Sequence, residues 1–457
     1  MIFQIHIEKH PHSMAGYWRR NKRVKMRIIL FPAVVLYLSL ISFSCKKDNP
    51  VIPTLQESQP VTLSLVDVSC SEAFIKITAA DSVLPLNISL ARNNGIIAGF
   101  LLTKTSDVIL DTMLHPNDTY TYQTTEMING KEQKSNELKV KTLGVTSDNF
   151  NWEAYTFGNY ASDGFYDCAV LSENDIWCVG EFSIRDSVLN TVTTFNAVHW
   201  NGSEWQSKSI LYNGYIWTIK SIYAFSSNDI LFSAFVKYDG SHFISLPIPN
   251  ILMGWNIKKV WGVNSNNYYV IGELGNIAHY QNGSWHKLIS GTILNLNDIW
   301  GYYDPATGEQ TILVAGGNIF ANTERIILQI QDNQVQEIDP VGTVEYPLGS
   351  VWFTNNYKYF IAGQGYFSKY YNEINWEQTS TPLYFIFSIR GNGLNDIIAT
   401  GGKGYVGHFN GISWTSYIGN GLEETSGNYY SASINDSTVA VAGDLAGGQA
   451  IVVIGRH

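Results

Sequence analysis

His199-Trp200-Asn201-Gly202-Ser203-Glu204-Trp205 is the stretch on which the reading of this chain turns. An aromatic ends one extended run, Asn-Gly reverses the chain, and a Trp sits in the next run. Asn-Gly suits a two-residue hairpin because both of its central positions need positive φ. The phrase returns as Tyr238-Asp239-Gly240-Ser241-His242-Phe243, Tyr280-Gln281-Asn282-Gly283-Ser284-Trp285, Tyr371-Asn372-Glu373-Ile374-Asn375-Trp376 and Phe409-Asn410-Gly411-Ile412-Ser413-Trp414. A second turn recurs between the copies, as Asn174-Asp175-Ile176, Asn228-Asp229-Ile230, Asn395-Asp396-Ile397 and Asn435-Asp436-Ser437.

Short strands repeating at roughly 40–50 residues predict the blades of a β-propeller. Units begin near 165, 217, 256, 296, 348, 385 and 428, which gives seven blades over 148–457, with six or eight as alternatives. The last unit holds only three strands before His457. Asn151-Trp152-Glu153-Ala154-Tyr155-Thr156 has the character of an outer strand and is expected to complete it, removing an exposed sheet edge.

Residues 60–143 alternate apolar and polar side chains in seven short runs and predict an immunoglobulin-like β-sandwich. Leu114, Pro116 and Tyr120 stand at the offsets of a tyrosine corner. In this the segment resembles fibronectin type III domains, in which the Tyr hydroxyl bonds back to the corner. The resemblance implies a spacer or binding module. The fold class is therefore all-β, a fibronectin type III-like sandwich followed by a seven-bladed propeller.

Residues 1–44 read as a signal segment whose true start is Met26, with the apolar run Arg27 to Ser44. Ile41-Ser42-Phe43-Ser44-Cys45 resembles the lipobox of Bacteroidota lipoproteins. That resemblance implies cleavage before Cys45, lipidation of Cys45, a bilayer as partner through its acyl chains, and an outer-membrane location. Residues 45–59 then carry the lipid and act as a linker, Pro-bearing and without periodicity. Removing the seven Lys and Arg and the one Glu of residues 1–44 from totals of 29 and 39 leaves 22 and 38, a net charge of −16. Such a surface repels phosphate backbones, so no nucleic-acid partner is expected. Cys168 and Cys178 flank a predicted hairpin, either as a disulfide or as free thiols.

The repeat resembles the Asp-box (BNR-like) propellers over about two-thirds of the chain, keeping mainly the Gly and Trp of that motif. The resemblance implies that Trp205, Trp285, Trp376 and Trp414 pack blades on the face opposite a ligand site. Sialidase chemistry needs three substrate-binding Arg and a Tyr/Glu pair. The propeller holds only Arg185, Arg325, Arg390 and Arg456, and no such pair stands out. Gly402-Lys403-Gly404-Tyr405-Val406-Gly407 spells GxGxxG but lies between two strands with no helix to receive a pyrophosphate, so it reads as a hairpin turn. The histidines have no metal-site spacing. No metal, cofactor or catalytic residue is expected.

Candidate ligand residues lie where the repeats disagree. Blade one carries an insertion, 182–195, on the face of the second-to-third-strand turns. Glu181 and Glu273 occupy equivalent positions on that face. The aligned inner-strand row reads Ala169, Tyr223, Trp261, Trp300, Trp352, Arg390 and Tyr430. An Arg among aromatics stacks on and hydrogen-bonds a sugar or an acidic peptide. These residues point to a monomeric, non-enzymatic, membrane-anchored lipoprotein whose propeller recognises glycan or envelope protein. The alternative is a propeller hydrolase or lyase acting on envelope glycans. Asp81-Ser82-Val83 and Asp186-Ser187-Val188 resemble the O-glycosylation sequon of Bacteroidota.

Overall fold

The computed structural model describes residues 59–319, 324–338 and 344–457. The signal segment, Cys45 and the linker up to Ser58 lie outside the described residues.

Seven four-stranded antiparallel sheets follow one another along the chain among the described residues. Their inner strands are Gly164–Ser172, Ile222–Ser226, Ile257–Asn264, Leu296–Tyr303, Leu348–Trp352, Ile386–Gly393 and Tyr429–Asn435. This is the seven-bladed propeller the repeat predicts. The last blade closes as expected. Asn151–Phe157 pairs along Gln449–Arg456 from Arg456↔Asn151 to Ala450↔Phe157. In the first six blades the first-to-second and third-to-fourth strand turns share one end, the turn face, and the first-to-second turn of blade seven lies there too. The second-to-third turns and the blade-to-blade connections share the other, the loop face.

The second blade starts at Ile222 and not near 217. The intervening Tyr212-Asn213-Gly214-Tyr215 is a separate hairpin, Leu211–Tyr212 paired with Tyr215–Ile216, that belongs to no blade. The 182–195 insertion is a regular structure as well. The second and third strands of blade one, Asp175–Asp186 and Thr191–Trp200, simply run on beyond the blade and turn at 187–190.

Trp414 stacks on Tyr366 of the preceding blade, centroids 3.9 Å apart. Trp205 packs among Tyr155, Phe157 and Trp200, and Trp376 is fully buried. The repeated phrase is thus spent on packing. The GxGxxG segment joins Asp396–Gly401 to Val406–Phe409 as a turn, with Lys403 and Gly404 both at positive φ.

Two further sheets precede the ring. One has order Val61–Val68, Ala73–Ala79, Ser106–Asp111. The other joins Gly95–Leu102, Leu86–Arg92, Thr119–Ile128 and Lys131–Lys134, with Leu138–Lys141 also paired to Thr119–Ile128. They enclose a core of Leu63, Ile75, Ile77, Ile88, Leu90 and Tyr122. The Tyr120 hydroxyl accepts the His115 N–H at 2.8 Å, the corner bond expected of it. There are eight strands where seven were expected. Asn129 and Gly130, both at positive φ, form a hairpin that adds Lys131–Lys134.

The sandwich is docked on the ring. Ser58–His457 form one compact unit. Ile75 and Ile77 point into the sandwich, so alternation sends Phe74 outward. Phe74 is nonetheless fully buried, in a cluster with Trp352, Phe360, Tyr366 and Ile397 of blades five and six. Glu72 accepts Lys358 Nζ at 2.7 and 2.8 Å, and Tyr371 donates to the Val108 carbonyl at 2.9 Å. Gly411 of a blade-six turn lies against Cys70 of the sandwich, where an added Cβ would come within 2.4 Å of the Cys70 sulfur. The turn face of blades five and six is therefore covered, and the loop face stands on the far side of the ring.

Candidate functional site

The ring's axis is built from one position per inner strand. Near the start of six inner strands the register slips, between Phe165/Asp167, Ile257/Lys259, Leu296/Asp298, Leu348/Ser350, Ile386/Ser388 and Tyr429/Ser431. Such a bulge re-aims the side chain that follows it. The residues at that position, with Ser221 in blade two, are Asp, Ser, Lys, Asp, Ser, Ser and Ser. Five of them accept a backbone N–H from the next blade. Asp167 takes Ile222 at 2.9 Å, Ser221 takes Val260 at 3.1 Å, Asp298 takes Val351 at 3.1 Å, Ser350 takes Ile389 at 3.0 Å, and Ser388 takes Ala432 at 3.2 Å. This polar belt ties blade to blade at its narrowest radius.

Charge enters the belt only in pairs. Lys259 Nζ lies 2.6 Å from Asp167. Arg390 grips Asp298 with two nitrogens, each 2.8 Å from a different carboxylate oxygen. Burial pushes the Asp298 carboxyl up, but Arg390 outweighs it and holds the group below the usual carboxylate range. The Arg390 guanidinium, only 8% exposed, lies 4.7 Å from the Trp300 ring.

Two steps further along each strand sits the row of candidate residues: Ala169, Tyr223, Trp261, Trp300, Trp352 and Arg390. Blade seven departs from the expected row. Its equivalent residue is Ser433, because the bulge before Ser431 sets the register; Tyr430 stands three positions earlier. Trp261 and Trp352 are wedges between blades. Trp261 lies flat on Gly301 and Trp352 on Gly391, and a Cβ at those glycines would come within 2.5 and 2.8 Å of the ring. Trp300, Trp352, Arg390, Lys259 and Asp167 line a cavity of about 540 Å³ that opens on the turn face.

The other candidates gather at the loop-face mouth. Thr218 donates to Glu181. Lys258 Nζ lies 2.9 Å from Glu273, which also accepts Asn256 at 2.9 Å. Tyr430 donates to Asp444 at 2.9 Å, with its ring 5.9 Å from Tyr166. Lys220, a residue the sequence reading passed over, sits among them with Nζ 3.2 Å from the Tyr166 centroid. Burial and then Lys258 bring its ammonium down to about 8, against the pull of Glu181 and Glu273. The structure thus splits the predicted constellation. Arg390, Trp300 and Trp352 share the turn-side cavity, Glu181, Glu273 and Tyr430 ring the opposite mouth, and Trp261 is held between blades.

Cys168 and Cys178 face each other directly across paired strands as buried free thiols. Burial pushes the Cys178 thiol well up, away from the reactive thiolate. Asp81-Ser82-Val83 forms a short 3-10 turn, and Asp186-Ser187-Val188 lies exposed at the tip of the blade-one hairpin.

No family profile and no curated protein sequence matches this chain. Solved structures do. YCF48 bound to D1 peptide matches at 13% identity with a TM-score of 0.49, over 68% of this chain and 97% of that one. The WD40 β-propeller domain of Doa1 matches at 13% identity and a TM-score of 0.46, over 67% and 97%. YCF48 from Cyanidioschyzon merolae matches at 12% identity and a TM-score of 0.47, over 67% and 99%.

Proposed function

We propose that this chain is an exported binding protein, anchored to the outer membrane through lipidated Cys45, whose propeller recognises a macromolecular ligand without transforming it. The observation that carries the binding role is the loop face of blades one to four. It exposes Val188 (90%), Tyr215, Met253, Leu274 (70%), Ile289 (86%) and Ile293, large apolar side chains on successive turns of one face. Large apolar side chains grouped at the turns of one face favour an interaction site there. The acids and bases of the central cavity are committed to one another, Asp167 to Lys259 and Asp298 to Arg390, which favours binding over acid–base work there. The lipobox-like Cys45 supports the anchor.

A glycan ligand has its own support. A turn-face cleft of about 750 Å³ between blades three and four is lined by Asn267, Gln281, Gln310, Gln329, Gln331 and Asn333. The Asn267 and Asn333 oxygens are taken by His279, while the amides of Gln281, Gln329 and Gln331 offer a donor and an acceptor side by side, as sugar hydroxyls require. The full chain, applied to a glycan array, a peptide array and a hydrolysis screen, is expected to bind without turnover. Turnover of any arrayed glycan would overturn the non-enzymatic reading. Metabolic labelling with an alkynyl fatty acid should mark the protein and fail on Cys45→Ser.

A further inference from the structure

Tyr212-Asn213-Gly214-Tyr215-Ile216-Trp217 repeats the wording of the blade turns yet builds no blade. Asn213 and Gly214 both have positive φ, and the hairpin stands on the loop face between blades one and two. It walls one side of a cavity of about 240 Å³ whose rings are Tyr212, Trp217, Phe232, Phe235 and Trp255. Tyr212 lies 5.2 Å from Trp217 and 6.1 Å from Phe235. Trp217 remains half exposed at the rim.

Four of the polar side chains around this cavity already hold partners. Asn196 donates to the carbonyls of Ile210 and Trp217 at 2.8 and 2.9 Å and accepts the Ile210 N–H at 2.7 Å. Ser233 accepts the Lys220 N–H, Thr218 donates to Glu181, and Asn256 donates to Glu273. A sugar seated here would bury hydroxyls without partners, at about 1–3 kcal/mol each. An apolar side chain asks for no partner and gains from leaving water. Among the described residues Lys220 is the one charged residue lining the cavity, and its ammonium reaches over Tyr166 at the adjoining mouth. Its ammonium faces Tyr166, Lys258, Glu181 and Glu273 but makes no ion pair among the described residues.

We infer that this cavity docks a polypeptide segment, which inserts one aromatic or branched apolar side chain among Trp217, Phe235 and Trp255 and sets a carboxylate beside Lys220. The inference rests on the proposal that the propeller is a binding module, and it names the partner's class. The surrounding apolar loops, Met253 and Leu274 among them, extend the same contact beyond the anchor.

The test is a random peptide array, with free and amidated C-termini, probed with the full chain, Trp217→Ala and Lys220→Gln. Wild-type hits should share an apolar anchor followed by Asp, Glu or a free terminus. The two kinds of terminus tell which carboxylate is used. Each variant should lose at least about tenfold in affinity, the scale of an interface anchor. Wild-type affinity should also fall as pH rises through about 8, where the Lys220 ammonium loses its charge. An unchanged melting temperature for both variants excludes a folding defect. Hits without the anchor and acid, hits untouched by either variant, or no hits at all would overturn the inference. An empty peptide array together with glycan binding that Gln329→Ala abolishes would overturn it while leaving the binding reading intact.

Discussion

Arg390 admits two roles, ligand contact or internal strut, and stability separates them. Its guanidinium is buried, doubly bonded to Asp298 and also bonded to the Ser350 hydroxyl at 3.1 Å. Removing one member of a buried pair strands the other's charge, at about 3–5 kcal/mol. Arg390→Met is therefore expected to lower the urea midpoint strongly. Arg390→Met combined with Asp298→Leu should recover much of the loss, since no lone charge remains. A single variant as stable as the wild type would return Arg390 to the list of free ligand residues.

At the scale of the element, the closing strand carries the ring. Asn151–Phe157 supplies the fourth strand of blade seven, and without it Gln449–Arg456 becomes an open edge of strongly apolar composition. A chain lacking residues 151–157 is expected to melt more than about 10 °C lower and to aggregate with rising concentration. A melting curve that does not move would show that the strand is not structural. This strand was legible because Trp152 and Tyr155 repeat the outer-strand wording. The belt was not. Its Ser, Asp and Lys residues become equivalent only after the bulges re-aim them, and side chains of such different type share no pattern along the chain. Tyr430 was read into the row three positions before Ser433, which belongs there. The start of blade two was hidden differently, since Tyr212-Asn213-Gly214-Tyr215 copies the repeat phrase in a hairpin outside the blades.

At the scale of the whole molecule, the sandwich is held to the ring by a contact that pH should loosen. Phe74 gives the apolar part of that contact, and it escaped notice because one outward Phe in an alternating strand reads as surface. Glu72 gives the charged part. It pairs with Lys358, accepts the Tyr370 hydroxyl, and accepts Ser69 at 3.0 Å. Burial pushes its carboxyl up, but Lys358 and these donors outweigh that and hold it below its ordinary 4.5. The folded chain therefore keeps the carboxylate ionised at a pH where the unfolded chain has taken up a proton. The resulting stability is complete above the ordinary value and is lost as pH falls through the lowered one. Glu72→Gln should cost about 2 kcal/mol at neutral pH, the worth of hydrogen bonds to a charged group. The gap between wild type and variant should close as pH is lowered below the carboxylate range. Urea unfolding of both proteins at stepped pH measures this directly, and a gap that stays constant down to pH 3 would mean that the Glu72–Lys358 pair does not fasten the sandwich to the ring.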